Sequence, residues 1–237
     1  GGQLLEGYLN ITKPLSEDKV TMKKADLVKL IKATCKAEAQ EYVADGGYET
    51  VAEALPDTWI SNYVDTYSTN LNDAYREVAD IIYSGNDNDV EIISEITNAG
   101  AGNENTLKLT KDVLGYDGVI YTANDGTHEF VTLVSEQFKS ADNINPTDNP
   151  DIRFSLSEDT KKLDSEYMLA VENGDMETTQ RIVDEAAKSA GYDIKAYHGT
   201  GYDFTVFDKS RQGNIYEDWG RLGKGFYFAP TSREGET

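Results

Sequence analysis

Ala196-Tyr197-His198-Gly199-Thr200 is followed further on by Gly223-Lys224-Gly225-Phe226-Tyr227-Phe228-Ala229, and these two segments together point to the fold. Ile194–His198 reads as a strand that ends on a histidine with glycine directly behind it, and Phe226–Ala229 reads as a second strand. Upstream, Asp175 is placed to cap a helix. Its Thr179, Ile182, Val183, Ala186, Ala187 and Ala190 fall on one face, and Gly191 suits its C-terminal end. Tyr167–Val171 reads as a shorter helix closed by Gly174. A structural unit therefore starts near Asp164.

Ahead of it, residues 141–164 hold Pro146, Pro150 and a run of Asp, Asn and Ser, with little to bury. That composition reads as a linker. Further upstream, His128–Val134 reads as a strand, with Glu136–Ser140 as a short extension. Asn124-Asp125-Gly126 suits a hairpin turn, and Gly115-Tyr116-Asp117-Gly118 a turn into the strand Val119–Tyr121. Leu4–Ile11 opens the chain as a strand closed by Lys13-Pro14. Between these strands the pattern is helical. Met22–Ala44 carries Leu27, Leu30, Ile31, Thr34 and Cys35 on one face, with Thr21 as its expected N-cap and Gly46-Gly47 as its stop. Trp59, Ile60, Tyr63, Val64 and Tyr67, then Leu71, Ala74, Tyr75, Val78, Ile81 and Ile82, recur at helical spacing and read as packing surface. Ser84-Gly85-Asn86-Asp87 and Asn98-Ala99-Gly100 read as breaks.

Composition narrows the function classes. With 237 residues, 38% of them hydrophobic and 10% aromatic, the chain has the material for a core. Its 43 acidic and 22 basic residues give a formal charge of −21. A surface this acidic repels phosphate backbones, so no non-specific nucleic-acid binding is expected. The single cysteine, Cys35, excludes an intrachain disulfide, and with two histidines it makes a poor metal set, so no metal is expected. No apolar run reaches membrane-spanning length, and the expected location is cytoplasmic, in a bacterium or delivered by a phage into a host cell.

The two motifs resemble the NAD-gripping half of the His-Tyr-Glu class of ADP-ribosyltransferases, the diphtheria-toxin and poly(ADP-ribose) polymerase class. More closely, 165–230 looks like the start of the ADP-ribosyltransferase modules of phage and mobile-element polyvalent proteins. There a helix of the Glu-Asn-Gly-Asp-Met-Glu-Thr kind precedes the Tyr-His-Gly-Thr strand. Residues 3–154 resemble the rest of such a module. Leu4-Leu5-Glu6-Gly7-Tyr8-Leu9-Asn10 opens this part, Gly115–Ile120 and the Glu129 strand follow, and Asn149–Ser155 closes it. The helical middle, 22–114, matches weakly.

The resemblance implies an α+β fold: a split antiparallel β-sheet core of the ADP-ribosyltransferase type with a flanking helical region. It implies NAD⁺ as substrate, with Glu129, His198 and Tyr227 as the catalytic set. His198 would hydrogen-bond a ribose hydroxyl, and Gly199, lacking a side chain, would let its backbone reach the nicotinamide carboxamide. Thr200 would line the same turn, and the ring of Tyr227 would stack on the nicotinamide. Glu129 would bind the ribose 2′-hydroxyl and oppose the cation that develops as the glycosidic bond breaks. Arg211, in a basic patch with Lys209, Arg221 and Lys224, would meet the pyrophosphate or serve as ordinary solubilising charge. Thr127 stands where arginine-directed transferases carry a second glutamate, which disfavours arginine as acceptor.

Glu129 precedes His198 and Tyr227 here, whereas the family order is His, Tyr, Glu. The chain therefore reads as a circular permutant, or as a window cut from tandem modules. On this reading 1–154 is the C-terminal portion of a module, 155–164 a linker and 165–237 the N-terminal portion, together making one composite domain. The function implied is transfer of ADP-ribose from NAD⁺ to an unidentified protein acceptor, with release of nicotinamide. The alternative is a catalytically silent NAD-binding or protein-interaction module. A small nuclease is disfavoured by the acidic surface.

Overall fold

A computed structural model of the chain describes residues 3–99, 106–122, 126, 128–141, 143, 152, 161–201, 204–208 and 225–232. They belong to a mixed α+β protein with two compact units, one drawn from 1–12, 122–211 and 226–237, the other from 13–121 and 212–225.

The first unit is built on strands from both ends of the chain. β1 (Gln3–Leu9) pairs antiparallel with β6 (Ile194–Thr200) at every position, from Gln3 opposite Thr200 to Leu9 opposite Ile194. On its other edge β1 pairs antiparallel with β5 (Phe138–Ser140), giving the order β5-β1-β6. Gly7 is required at that junction, because a Cβ there would stand 2.1 Å from the Lys139 carbonyl oxygen. Beyond β6 comes β7 (Phe226–Phe228), reached through a bridge between Tyr197 and Ala229. β7 in turn pairs antiparallel with β4 (His128–Thr132). Backbone hydrogen bonds in a ladder do not depend on chain order, so strands far apart in sequence pair side by side, β5-β1-β6 in one sheet and β4-β7 in a second.

Two helices accompany these strands. α6 (Lys161–Glu172) leads into α7 (Met176–Ser189), whose Ile182, Val183 and Ala187 bury against Tyr8 and Tyr192. As expected, the Asp175 side chain caps α7 by accepting from the Thr178 N–H at 3.0 Å. Gly191, at φ +84°, takes the left-handed turn that ends it. The Tyr8 hydroxyl donates to Asp184 and accepts from Gln180, which ties the helix to β1.

The expected linker is shorter than its composition implied. α6 begins at Lys161, inside the range read as linker. Ile152 is buried: its N–H donates to the Thr205 carbonyl, and its own carbonyl accepts from Ser140 N–H.

The second unit is mainly helical. α1 (Lys24–Ala44) buries Leu27, Leu30, Ile31, Thr34, Cys35 and Ala39 against α2 (Val51–Ala54), α3 (Leu71–Gly85) and α5 (Thr106–Leu114). α4 (Asp89–Asn98) lies between α3 and α5 in the chain. Trp59 closes the α1 face, its indole N–H donating to Thr34 Oγ1 at 3.2 Å. Burial pushes the Cys35 thiol up to about 12, which keeps it an inert core residue.

Thr21 and Tyr67 depart from expectation in this unit, and one strand pairing, not anticipated, is parallel. Thr21 does not cap α1, which starts after Lys23. Its hydroxyl and N–H instead bond the buried carboxylate of Asp89. β2 (Pro14–Leu15) and β3 (Gly118–Thr122) pair in parallel, as two strands joined by a long helical excursion can and a hairpin cannot. Tyr67, counted with the packing residues, is 77% exposed. The Asn124-Asp125 turn lies outside the described residues.

Candidate functional site

The register between strands aligns the motif residues. Val131 stands opposite Tyr227 and Phe130 opposite Phe228, so the same register sets Glu129 opposite Ala229. Ala229 is bridged on its other side to Tyr197, with backbone bonds of 2.8 and 2.9 Å. Tyr197, Ala229 and Glu129 thus form one cross-strand row. Antiparallel partners share a face and alternate residues return to it. Tyr227 therefore faces the same way as Glu129, and Gly199 lies in the next row beside Tyr227. With strands about 4.8 Å apart, Glu129 is roughly 10 Å from β6. Glu129 and Tyr227 are half-buried and Gly199 is exposed.

His198 points to the other side of β6. Its ring lies 5.0 Å from that of Phe207, 5.3 Å from Phe228 and 6.2 Å from Phe204. Phe138 stacks on Phe228 with centroids 5.0 Å apart. Nδ1 of His198 is 2.9 Å from the Tyr227 carbonyl oxygen. A carbonyl only accepts, so Nδ1 carries the proton and Nε2 keeps its lone pair. Burial among these rings lowers the His198 pKa, and the Tyr227 carbonyl partly opposes that shift.

Alternation in Phe226-Tyr227-Phe228 explains this two-sided construction. The two phenylalanines are buried on the His198 side while Tyr227 is left half-buried on the opposite face. The aromatic shell of Phe138, Phe204, Phe207, Phe226 and Phe228 was not anticipated from the sequence. Its signal was the concentration of phenylalanine at 204–207 and 226–228.

Thr200 ends β6 opposite Gln3. Arg211 lies outside the described residues, as do Lys209, Arg221 and Lys224. His128 is exposed, its Nδ1 3.2 Å from Thr122 Oγ1. Among the described residues no group of three or more His, Cys, Asp or Glu could hold a metal ion. No helix among them is long and apolar enough to cross a membrane. Comparison with models of known families, with curated proteins and with solved structures returned no match.

Proposed function

We propose that this chain is an ADP-ribosyltransferase that transfers ADP-ribose from NAD⁺ to a protein acceptor. The observation that carries the reading is the strand register: β4 pairs with β7, and β7 is bridged to β6. That arrangement supports an assembled Glu129, Tyr227 and Gly199 face despite the rotated chain order, as the split core of an ADP-ribosyltransferase requires.

In the proposed reaction the bond between nicotinamide and ribose C1′ breaks, and nicotinamide leaves as a neutral base. The acceptor nucleophile forms a new bond to C1′ and releases its proton. Tyr227 offers its ring to the nicotinamide, and the Gly199 backbone can approach the carboxamide without a side chain in the way. Glu129 supplies negative charge to the sugar as positive charge develops on it. His198 stands off this face and serves it by position, holding β6 to β7 through its Nδ1–H bond to the Tyr227 carbonyl.

A second reading, the silent binding module, is favoured by one observation: the His198 ring is set among phenylalanines, off the Glu129 face. NAD⁺ hydrolysis and transfer by wild type and Glu129→Gln separate the two. A charge acting mainly in the transition state should spare NAD⁺ binding while the rate falls about 10²–10³-fold on its removal. Equal rates in both proteins would remove Glu129 from the mechanism. NAD⁺ binding by wild type without turnover would favour the silent module.

A further inference from the structure

The helical unit carries an ordered strip of tyrosines on an acidic surface. Tyr42 and Tyr48 stack with centroids 6.0 Å apart and planes at 29°. The Tyr42 hydroxyl donates to Glu38 Oε1 at 2.6 Å, and the other oxygen of that carboxylate accepts from Trp59 N–H at 2.8 Å. The Tyr48 hydroxyl donates to Asp57 Oδ2 at 2.6 Å, and Tyr67 donates to Oδ1 of the same carboxylate. Tyr67 is pinned at its other end as well, its N–H donating to Asp65 Oδ1 at 3.0 Å. Although 77% exposed, Tyr67 is therefore tethered through its ring hydroxyl and through its backbone.

An exposed aromatic ring with fixed orientation is unusual, because solvent-facing side chains normally keep rotamer freedom. Pre-ordering removes much of the entropy cost that a partner would otherwise meet on docking. Charge identifies the partner. From Lys36 to Arg76 no lysine or arginine intervenes, while eight aspartates and glutamates do. Among the described residues, none of the carboxylates from Glu38 to Asp65 forms an ion pair. Arginine answers both features, since its guanidinium stacks on aromatic faces and donates to carboxylates.

We propose that the Tyr42–Tyr48–Asp57–Tyr67 strip is a docking surface for an arginine-bearing basic segment of a partner protein. Arginine side chains lie on the tyrosine rings and donate to the remaining lone pairs of Asp57, while buried Glu38 holds Tyr42 in place from below. Exposed Glu49, Glu53 and Asp65 draw the basic segment in over longer range. The surface belongs wholly to the helical unit.

The test uses the full chain and a fluorescent octapeptide of alternating arginine and serine, followed by anisotropy. Wild type should bind saturably, more weakly as salt rises. Tyr67→Ala should weaken binding about tenfold, as loss of an aromatic anchor does, and Asp57→Asn by a similar factor. Glu185→Gln, an equal loss of charge on the other unit, should leave affinity within about twofold. Because Tyr67 is exposed, its alanine variant should melt like wild type, which keeps the test open if Asp57→Asn is less stable. Binding that does not saturate, or that Tyr67→Ala leaves unchanged, overturns the proposal. So does an equal loss in Glu185→Gln, which would reduce the attraction to net charge.

Discussion

Nδ1 of His198 lies 2.9 Å from the carbonyl oxygen of Tyr227, so the backbone of one motif sets the tautomer of the other. The two residues are 29 positions apart and sit on neighbouring strands. Because the acceptor is a main-chain carbonyl, the bond survives any substitution of the Tyr227 side chain that leaves β7 in place. Effects of the ring and of the imidazole can therefore be measured separately.

Under the proposed function, His198→Ala and Tyr227→Ala should each weaken NAD⁺ binding by roughly 1–3 kcal/mol, the scale of a lost hydrogen bond or aromatic contact. Gly199→Val should be worse, since a branched side chain would enter the space beside Tyr227. Calorimetric titration of the three variants checks this, and unchanged affinity in all of them would refute the site.

Stability should depend on pH through His198. Burial holds its pKa below the ordinary value in the folded protein, so the unfolded chain takes up the proton first as pH falls. The contribution is complete above about pH 6.5, the unperturbed value, and is lost as pH drops from there through the lower folded value. Urea unfolding of wild type and His198→Gln at pH values spanning that window should show a steeper loss in wild type. Parallel pH profiles would mean that His198 titrates normally.

Gly7→Ala should destabilise the first unit by about 2–3 kcal/mol, because overpacking there cannot relax cheaply. The added carbon would meet the Lys139 carbonyl oxygen at 2.1 Å and Phe138 Cζ at 2.5 Å, and β5 would have to leave β1. A lower urea midpoint and faster exchange of β5 amides are the expected readouts.

Asp89→Ala should cost about 3 kcal/mol or more in the helical unit. The carboxylate is fully buried and accepts from the N–H groups of Ser16, Thr21 and Met22 and from the Thr21 hydroxyl. Removing it takes away the acceptor shared by these donors, among them the buried Met22 N–H. Chemical denaturation of the variant measures the loss.

Where interactions are local, the reading of the residues and the structure agree. Asp175 caps α7 and Gly191 ends it, since both act within one helical turn. The face of Leu27, Leu30, Ile31, Thr34 and Cys35 on α1 followed from a 3.6-residue period. Thr21 misled because its capping propensity competes with a buried acceptor 68 residues away, and the fully buried carboxylate prevails. Tyr67 misled because periodicity records spacing and cannot show which face finds a partner.

Residue patterns alone indicated most of the helices, the longer strands and the residue types of the candidate site, but not the short strand Pro14–Leu15 or the start of α6 at Lys161. A hydrogen-bond ladder carries no record of chain order, and strand partners are selected by packing across the whole core. Three-dimensional packing placed β1 between β5 and β6 and brought mid-chain β4 to β7 near the C-terminus. It alone set Glu129 on the face of Tyr227 and turned His198 toward the phenylalanines. One residue of slip between β4 and β7 would have reversed the facing of Glu129, and that register is held by contacts no single segment contains.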